Sequence, residues 1–337
     1  MTRPRILTII LNYKTPVLTL KATEAALREM TALDGEVIVV DNASPDGSHE
    51  AILRGAQDAG WVQGGRLRIV RAPENRGFGA GNNHGMRLRM SDGGDPDFVY
   101  LLNSDAWPDP GAVGKLLEVM RNDPGTGISG SYIKGTDGAP HCTVFRFPSI
   151  ASEFESAVRF GPVSRLLRRS VVRMPIPTET TRVDWVAGAS MMLRGRMLDE
   201  IGAFDENFFL YYEETELCRR AARAGWATCY VPASEVTHVG SASTGLKTWA
   251  RTPDYWFDSR LYYFAKVHGR LYAALATGAR VAGACLWGVR RAVSGKPRVD
   301  PPHFLRDLIM HSLKTPFTGG VGRRALKGPH PMTEDGK

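Results

Sequence analysis

The chain has 337 residues, 43% of them hydrophobic and 23% charged, a balance that excludes disorder for most of its length and leaves room for one large core or two modest ones. Its formal charge of +8 is unevenly placed: residues 255–337 carry 14 Lys and Arg against 5 Asp and Glu, which leaves 29 against 30 for residues 1–254. A neutral body with a basic end points to an anionic surface or partner, either membrane or nucleic acid. Cys142, Cys218, Cys229 and Cys285 form no CxxC pair or metal spacing, and the start Met1-Thr-Arg-Pro-Arg lacks the apolar core of a signal peptide, so a reduced, cytoplasmic protein is expected.

The β-branched runs 5–11 and 36–40 enclose a helical pattern from about Val17 to Met30, with Pro16 near its start. Strand candidates follow at 67–71 and 98–102, separated by helix-like stretches. Such alternation predicts a doubly wound, mostly parallel α/β sheet with helices on both faces. Ligands of such sheets bind beyond the carboxyl ends of the strands. Asp41-Asn42, Glu74-Asn75-Arg76 and Asn103-Ser104-Asp105 all fall there.

At the end of the second strand, Asp41 either accepts hydrogen bonds from a nucleoside or caps a turn. The run Gly77-Phe-Gly-Ala-Gly-Asn-Asn83 opens a helix where backbone N–H groups can meet a pyrophosphate, with Arg76, Asn82 and Asn83 in reach, although its spacing is not the GxGxxG fingerprint. Asp105 either holds a divalent ion whose remaining ligands are phosphate oxygens or begins a turn before Pro108.

Residues 135–182 read as an irregular insertion that includes the basic stretch Arg165 to Arg173. Between Asp184 and Trp226, the aromatic run Phe208-Phe-Leu-Tyr-Tyr212 precedes Glu213, Glu214 and Glu216 at a helix start. Carboxyls against apolar walls gain proton affinity and become potential bases. Arg219 and Arg220 stand three and four residues beyond Glu216 and can pair with it, and Glu213 can serve as a capping anion. That leaves Glu214 as the best candidate base, with Glu213 as its rival.

A short strand is expected at 227–231, followed by Pro232 and His238 in a Gly/Ser loop with the composition of a closing lid. Residues 255–291 read as helices mixing aromatics with Arg and Lys, set either on a membrane surface or on the domain. The apolar stretch from Leu271 to Val289 is broken by Arg280 and three glycines and is not expected to span a bilayer. Residues from about 318 read as a disordered basic tail.

The segments Thr8–Tyr13, Val39–Ser44, Asn75–Asn83, Leu102–Ala106, Gly188–Leu193, Ile201–Glu206, Tyr212–Arg219 and His238–Ser241 resemble, in this order, the family 2 glycosyltransferases with the GT-A fold. The likeness is closer to bacterial rhamnosyltransferases acting on lipid-linked cell-envelope glycans. The resemblance covers about residues 5–245 and implies a GT-A domain at 1–250, with a helical region at 251–317 and the tail at 318–337.

It further implies an inverting transfer from a nucleotide-diphosphate sugar, dTDP-L-rhamnose being the expected donor, to a glycan or polyprenyl-diphosphate acceptor. Mg²⁺ or Mn²⁺ would sit at Asp105 and His238. Donor contacts would come from Asn12, Asp41, Asn42, Arg76, Asn82, Asn83, Asn103, Ser104 and Asp105. Acceptor contacts would come from Trp185, Gly188, Ala189 and Ser190, with the enzyme held peripherally at the inner leaflet. The chain departs from the family in reading Glu-Glu-Thr-Glu for Glu-Asp-x-Asp, and Asn103 for the first Asp of the metal motif. The alternatives are another donor sugar, such as galactofuranose, glucose or N-acetylglucosamine, or a nucleotidyltransferase, whose Gly-rich basic first loop is missing from Asn12-Tyr13-Lys14-Thr15. A nucleic-acid-binding protein would leave Asp105 and the acidic cluster unexplained, and no nucleic-acid partner is expected.

Overall fold

The structure, a computed structural model, describes residues 3–240 and 249–315. The expected lid after Gly240 and the tail from 318 lie outside the described residues, apart from the start of that loop at His238 to Gly240.

The first half alternates as expected: β1 (Ile6–Asn12), α1 (Pro16–Leu33), β2 (Glu36–Asp41), α2 (Ser48–Asp58), β3 (Leu67–Arg71), α3 (Phe78–Arg87) and β4 (Phe98–Asn103). Pro16 starts α1 with its φ already set, and Ala22, Ala26 and Met30 recur every four residues on the buried stripe. Next come β5 (Ala106–Pro108), α4 (Ala112–Asn122), β6 (Thr126–Lys134), β7 (Pro140–His141), β8 (Val144–Phe145), α5 (Ile150–Val158), α6 (Gly161–Leu166), β9 (Thr181–Val183) and β10 (Trp185–Val186). The chain continues through β11 (Ser190–Arg194), α7 (Gly195–Ile201), α8 (Glu213–Arg223), β12 (Ala227–His238), α9 (Asp254–His268), α10 (Arg270–Ser294) and α11 (Phe304–Lys314).

The main sheet runs β3-β2-β1-β4-β11-β6-β12-β5. Its first four strands are parallel, while β11 lies antiparallel between β4 and β6, so the sheet is mixed rather than parallel throughout. Register explains the site. Asn12 pairs with Asp41 and Leu11 with Asn103, which aligns three strand ends on one edge. Because β11 runs the other way, its start reaches the same edge, Ser190 opposite Leu102. His238 joins them through its pairing with Ala106.

One face of the sheet packs on α1, α2 and α4, and the other on α3, α7 and α8. β12 extends to His238, well past the expected end at Val231, because the ladder shifts register between Val231 and Glu235 around Pro232 and then resumes.

The 135–182 segment also differs from its irregular reading. Ser149 and Ser152 close a capping box that starts α5, and β9 adds to the sheet beside β12. α5 is then covered by α10, where a Cβ on Gly283 would stand 2.7 Å from the Phe154 carbonyl oxygen. Glu153 ties the layers together, taking Arg260 at 2.6 Å and Arg280 at 3.3 Å. Burial pushes this carboxyl up, and the two guanidinium charges outweigh it, holding Glu153 below the usual range.

The C-terminal aromatics, expected at a membrane surface as one of two readings, point inward. Phe257, Tyr263 and Phe264 are at most 1% exposed and Trp287 is 9% exposed. Other α9 rings join Tyr263 against the loop before α8: Tyr262 lies against Phe208, and Trp256 and Tyr263 against Tyr212.

Candidate active site

At the edge formed by the ends of β1, β2 and β4 the side chains hold one another. Asn12 Nδ2 donates to Asp41 Oδ1 at 2.7 Å, and Asn12 Oδ1 accepts from Thr15 and from the Thr19 hydroxyl. Asp41 Oδ2 accepts the Ser44 backbone N–H at 3.0 Å, with Arg71 Nε 3.8 Å away. Asn42 donates to Asn75 Oδ1 at 2.9 Å, while its own Oδ1 is buried without a hydrogen-bond partner among the described residues. Ser104 Oγ lies 2.9 Å from Thr15 Oγ1. Lys14 and Ala43 adopt positive φ of 58° and 54° in the turns beside this network, a strain that residues other than Gly seldom carry without a local purpose.

Asp105 and His238 are brought together, as their sequence reading requires. His238 Nε2 lies 2.9 Å from Asp105 Oδ1 and 3.3 Å from Asn103 Nδ2, and the Gly240 N–H donates to Asp105 Oδ2. This donor set suits a Mg²⁺ or Mn²⁺ that takes one carboxylate and one imidazole from protein and its other ligands from phosphate oxygens. It does not suit an all-protein cage, since no group of three or more His, Cys, Asp or Glu with metal geometry occurs among the described residues.

The glycine-rich turn has a role beyond phosphate approach. Gly77 has φ +94°, and a Cβ there would fall 1.8 Å from the Phe209 carbonyl oxygen, which accepts the Phe78 N–H at 2.9 Å. The aromatic run therefore crosses directly over the start of α3. Asn83 clamps the same loop through both Phe204 backbone groups and Glu206. Arg76 and Arg87 pair with Glu206, and Asn82 donates to the Phe78 carbonyl. In this structure Arg76 and Asn83 are thus engaged in holding residues 204–206, and Asn82 in the first turn of its own helix.

Tyr211 and Tyr212 both have positive φ, 71° and 70°, immediately before α8. Two left-handed non-glycine residues in a row are costly and survive only when packing fixes them, here against α9. They aim the first turn of α8 at the sheet edge. Glu213 is 2% exposed, whereas Glu214 is only partly buried; one carboxylate oxygen of each, Oε2, is buried without a hydrogen-bond partner among the described residues. Burial raises the proton affinity of both, and the Glu214 charge raises that of Glu213 further.

Glu216 pairs with Arg220, whose Nε is 2.9 Å away, and with Lys266 of α9 at 2.7 Å. The expected Arg219 partnership is replaced by a stack of Arg219 on Phe147, 4.7 Å to the ring centre, because Arg219 leaves the helix toward the 147 loop.

The four acceptor-side candidates separate. Gly188 lies beside Glu214: its backbone hydrogen-bonds to that carboxylate, and a Cβ there would sit 3.9 Å from Glu214 Oε1. Ala189 is buried and its carbonyl accepts the Asn103 N–H. Ser190 points into the interior, bonded to Tyr100 and Ser131, because it begins a central strand. One face of the Trp185 indole is covered by Phe145 at 4.1 Å, and its Nε1–H is held by the Arg146 carbonyl.

Two residues escaped the sequence reading. The His141 ring lies 6.4 Å from that of His238, carried there by the β6–β7 pairing, and Lys266 of α9 reaches Glu216 in the first turn of α8. Neither sits in a local pattern that reveals it, since both depend on distant pairing.

The chain matches the family described as Glycosyl transferase family 2 over residues 8–173 and that described as Glycosyl transferase family group 2 over residues 98–314. It is 28% identical over 229 residues to the N-acetylglucosaminyl-diphospho-decaprenol L-rhamnosyltransferase of Mycobacterium tuberculosis, covering 66% of this chain and 72% of that one. It is 39% identical over 155 residues to the rhamnosyltransferase WbbL of Escherichia coli, covering 43% and 53%. Among solved structures it resembles the mannosyltransferase PcManGT of Pyrobaculum calidifontis in complex with GDP-Man and Mn²⁺, with a TM-score of 0.56 and 18% identity over 94% of this chain and 83% of that one. That likeness shows a shared GT-A fold. The chain belongs to the family 2 glycosyltransferases and is a glycosyltransferase resembling the rhamnosyltransferases among them.

Proposed function

We propose that this enzyme transfers L-rhamnose from dTDP-L-rhamnose, with inversion, to a hydroxyl of a polyprenyl-diphosphate-linked glycan at the cytoplasmic face of the membrane. The donor and acceptor classes are supported by the two rhamnosyltransferase relatives, one of them named for a decaprenol-linked acceptor. Asp41, Asn42 and Ser44 form the nucleoside end of the site, and Asp105 with His238 the diphosphate end.

The carrying observation is the base. Glu214 is partly accessible, hydrogen-bonded by the Gly188 backbone, buried enough to bind protons more readily than an ordinary Glu, and free of any Arg or Lys partner among the described contacts. Glu216, by contrast, is neutralised by two cations. In the reaction the acceptor O–H gives its proton to Glu214, the acceptor oxygen bonds to the anomeric carbon, and the bond from that carbon to the diphosphate breaks on the opposite face. A divalent ion held by Asp105 and His238 would neutralise charge on the departing diphosphate. Burial and the Glu214 charge both raise the proton affinity of Glu213, and Glu214, the more accessible of the two, is the proposed acceptor of the new proton.

Thermal unfolding in a panel of nucleotide sugars with Mg²⁺ or Mn²⁺ tests the donor. At a hundred times its dissociation constant the true donor adds about 2.7 kcal/mol of stability. Stabilisation by dTDP-rhamnose above UDP- and GDP-sugars is expected; stabilisation by a UDP- or GDP-sugar alone would transfer the reading to another donor.

A further inference from the structure

The outward face of α10 carries no charge. Leu271, Leu275, Leu286, Val289 and Val293 are 75%, 53%, 50%, 65% and 85% exposed, and the exposed positions between them include Gly278, Ala282 and Cys285. At 3.6 residues per turn all of these fall within about 100° of the helix circumference. The inward face, with Ala273, Ala276, Gly283 and Trp287, is already buried on the domain. A helix that is apolar on both sides ordinarily has both covered, yet among the described residues nothing covers the outer one. Residues 316–337, Gly-rich and basic, offer no periodic apolar row to match it.

The surroundings identify the missing cover. Arg290 donates to the Val158 and Arg159 carbonyls and lies 4.2 Å from the Phe160 ring, which sets the start of α6 beside the last third of α10. There Leu166 is 82% exposed and Phe160 40% exposed, next to exposed Arg165, Arg168 and Arg169. Exposed Lys296 and Arg298 follow α10. Neither residues 156–178 nor residues 259–299 contain any Asp or Glu. Asp300, just beyond, is neutralised by Arg159 at 2.6 Å. A second copy packed on this face would bring two basic collars together, whereas anionic headgroups above an acyl layer complement both collar and stripe. No described helix is long and apolar enough to cross a membrane, so the fitting geometry is a helix of about 37 Å lying in the interface.

We infer that the outer face of α10, with α6, is a bilayer-contact surface: the aliphatic stripe enters the acyl boundary and the Arg165 to Arg169 cluster meets anionic headgroups. This rests on the lipid-linked acceptor reading and names the surface at which the lipid is met. The site stands one helix away, since α9 lies between α10 and the loop before α8, Ser259 donating to the Leu210 carbonyl at 3.0 Å.

The test is co-sedimentation of the full chain with vesicles of phosphatidylglycerol and phosphatidylcholine, or phosphatidylcholine alone, without donor or acceptor. Binding should favour the anionic vesicles. Leu275→Asp/Leu286→Asp/Val289→Asp should lower partitioning by about ten-fold or more, and Arg165→Glu/Arg168→Glu/Arg169→Glu should erase the anionic preference. Both variants should keep wild-type unfolding temperatures and turnover on a short water-soluble acceptor. Undiminished vesicle binding by the Asp variant would overturn the inference, as would a wild type that ignores vesicles and sediments as a dimer which the Asp variant converts to monomer. Vesicle binding requires no sugar transfer, so a wild type that binds vesicles but does not glycosylate a polyprenyl-diphosphate substrate would sink the acceptor reading alone.

Discussion

The proposed donor edge and the proposed base loop solve the same problem of presenting polar groups in opposite ways. Asn12, Asp41 and Ser44 satisfy one another across neighbouring parallel strands, so the donor edge is built before any substrate arrives. The base loop leaves carboxylate oxygens of Glu213 and Glu214 buried without partners, and it is held in place from outside through Lys266, Ser259 and the α9 aromatics. A prebuilt site can rest on its own sheet, whereas a poised base needs bracing from a separate layer. The C-terminal helices therefore brace the turn that carries Glu213 and Glu214, and deleting them would disturb that turn as well as the proposed membrane contact.

The largest effect is expected at the brace between the domain and its C-terminal layer. Glu153→Gln leaves buried Arg260 and half-buried Arg280 without their counter-charge and should destabilise the fold by about 3–5 kcal/mol in urea unfolding. A loss under 1 kcal/mol would mean that the C-terminal layer is not anchored there. At the donor edge, Asp105→Ala should lower turnover by about 10²-fold or more and weaken nucleotide-diphosphate binding with Mg²⁺ or Mn²⁺, measured by calorimetry, while the Asn12–Asp41 network keeps the protein folded. Metal titrations identical to wild type would remove Asp105 from the metal.

A smaller effect sharpens the boundary between the halves. Lys266 lies 2.7 Å from Glu216 and 2.5 Å from Asp205, so Lys266→Met should cost about ten-fold in kcat while leaving the donor dissociation constant unchanged. Equal losses in both would show that the two halves are not separately supported. The smallest effect expected is in stability against pH. Glu213 and Glu214 bind protons more readily folded than unfolded, so their contribution is complete below the ordinary Glu value of 4.5 and is lost as pH climbs through the raised values. Glu213→Gln should flatten that decline; an unchanged slope on the alkaline side of the ordinary Glu value would contradict the raised affinity.

Legibility in the sequence follows the same division. β1 to β4 and α1 announce themselves through β-branched runs and Pro16, and their ends carry Asp41 and Asp105 into the site with them. The direction of β11 is not a local property, so Ser190 could be assigned to the right edge of the sheet by motif but not to its interior. α5 went unread because its capping box uses Ser152 where the familiar signal is Glu. The α9 aromatics have the composition of either a membrane belt or a core, and only packing against Phe208 and Tyr212 decides for the core. Aliphatic residues of α10, quieter in composition, occupy the exposed face instead. Glu213 and Glu214 are adjacent in sequence, yet a helix turn of 100° per residue buries one and opens the other.

The central claim, that Glu214 is the base, is tested most directly by comparing Glu214→Gln with Glu213→Gln in single-turnover rate and in dTDP-rhamnose binding under one set of conditions. The structure predicts a fall of about 10²- to 10⁴-fold in rate for Glu214→Gln with donor binding intact, and a much smaller fall for Glu213→Gln. Near-normal transfer by Glu214→Gln, or the larger loss in Glu213→Gln, would contradict it.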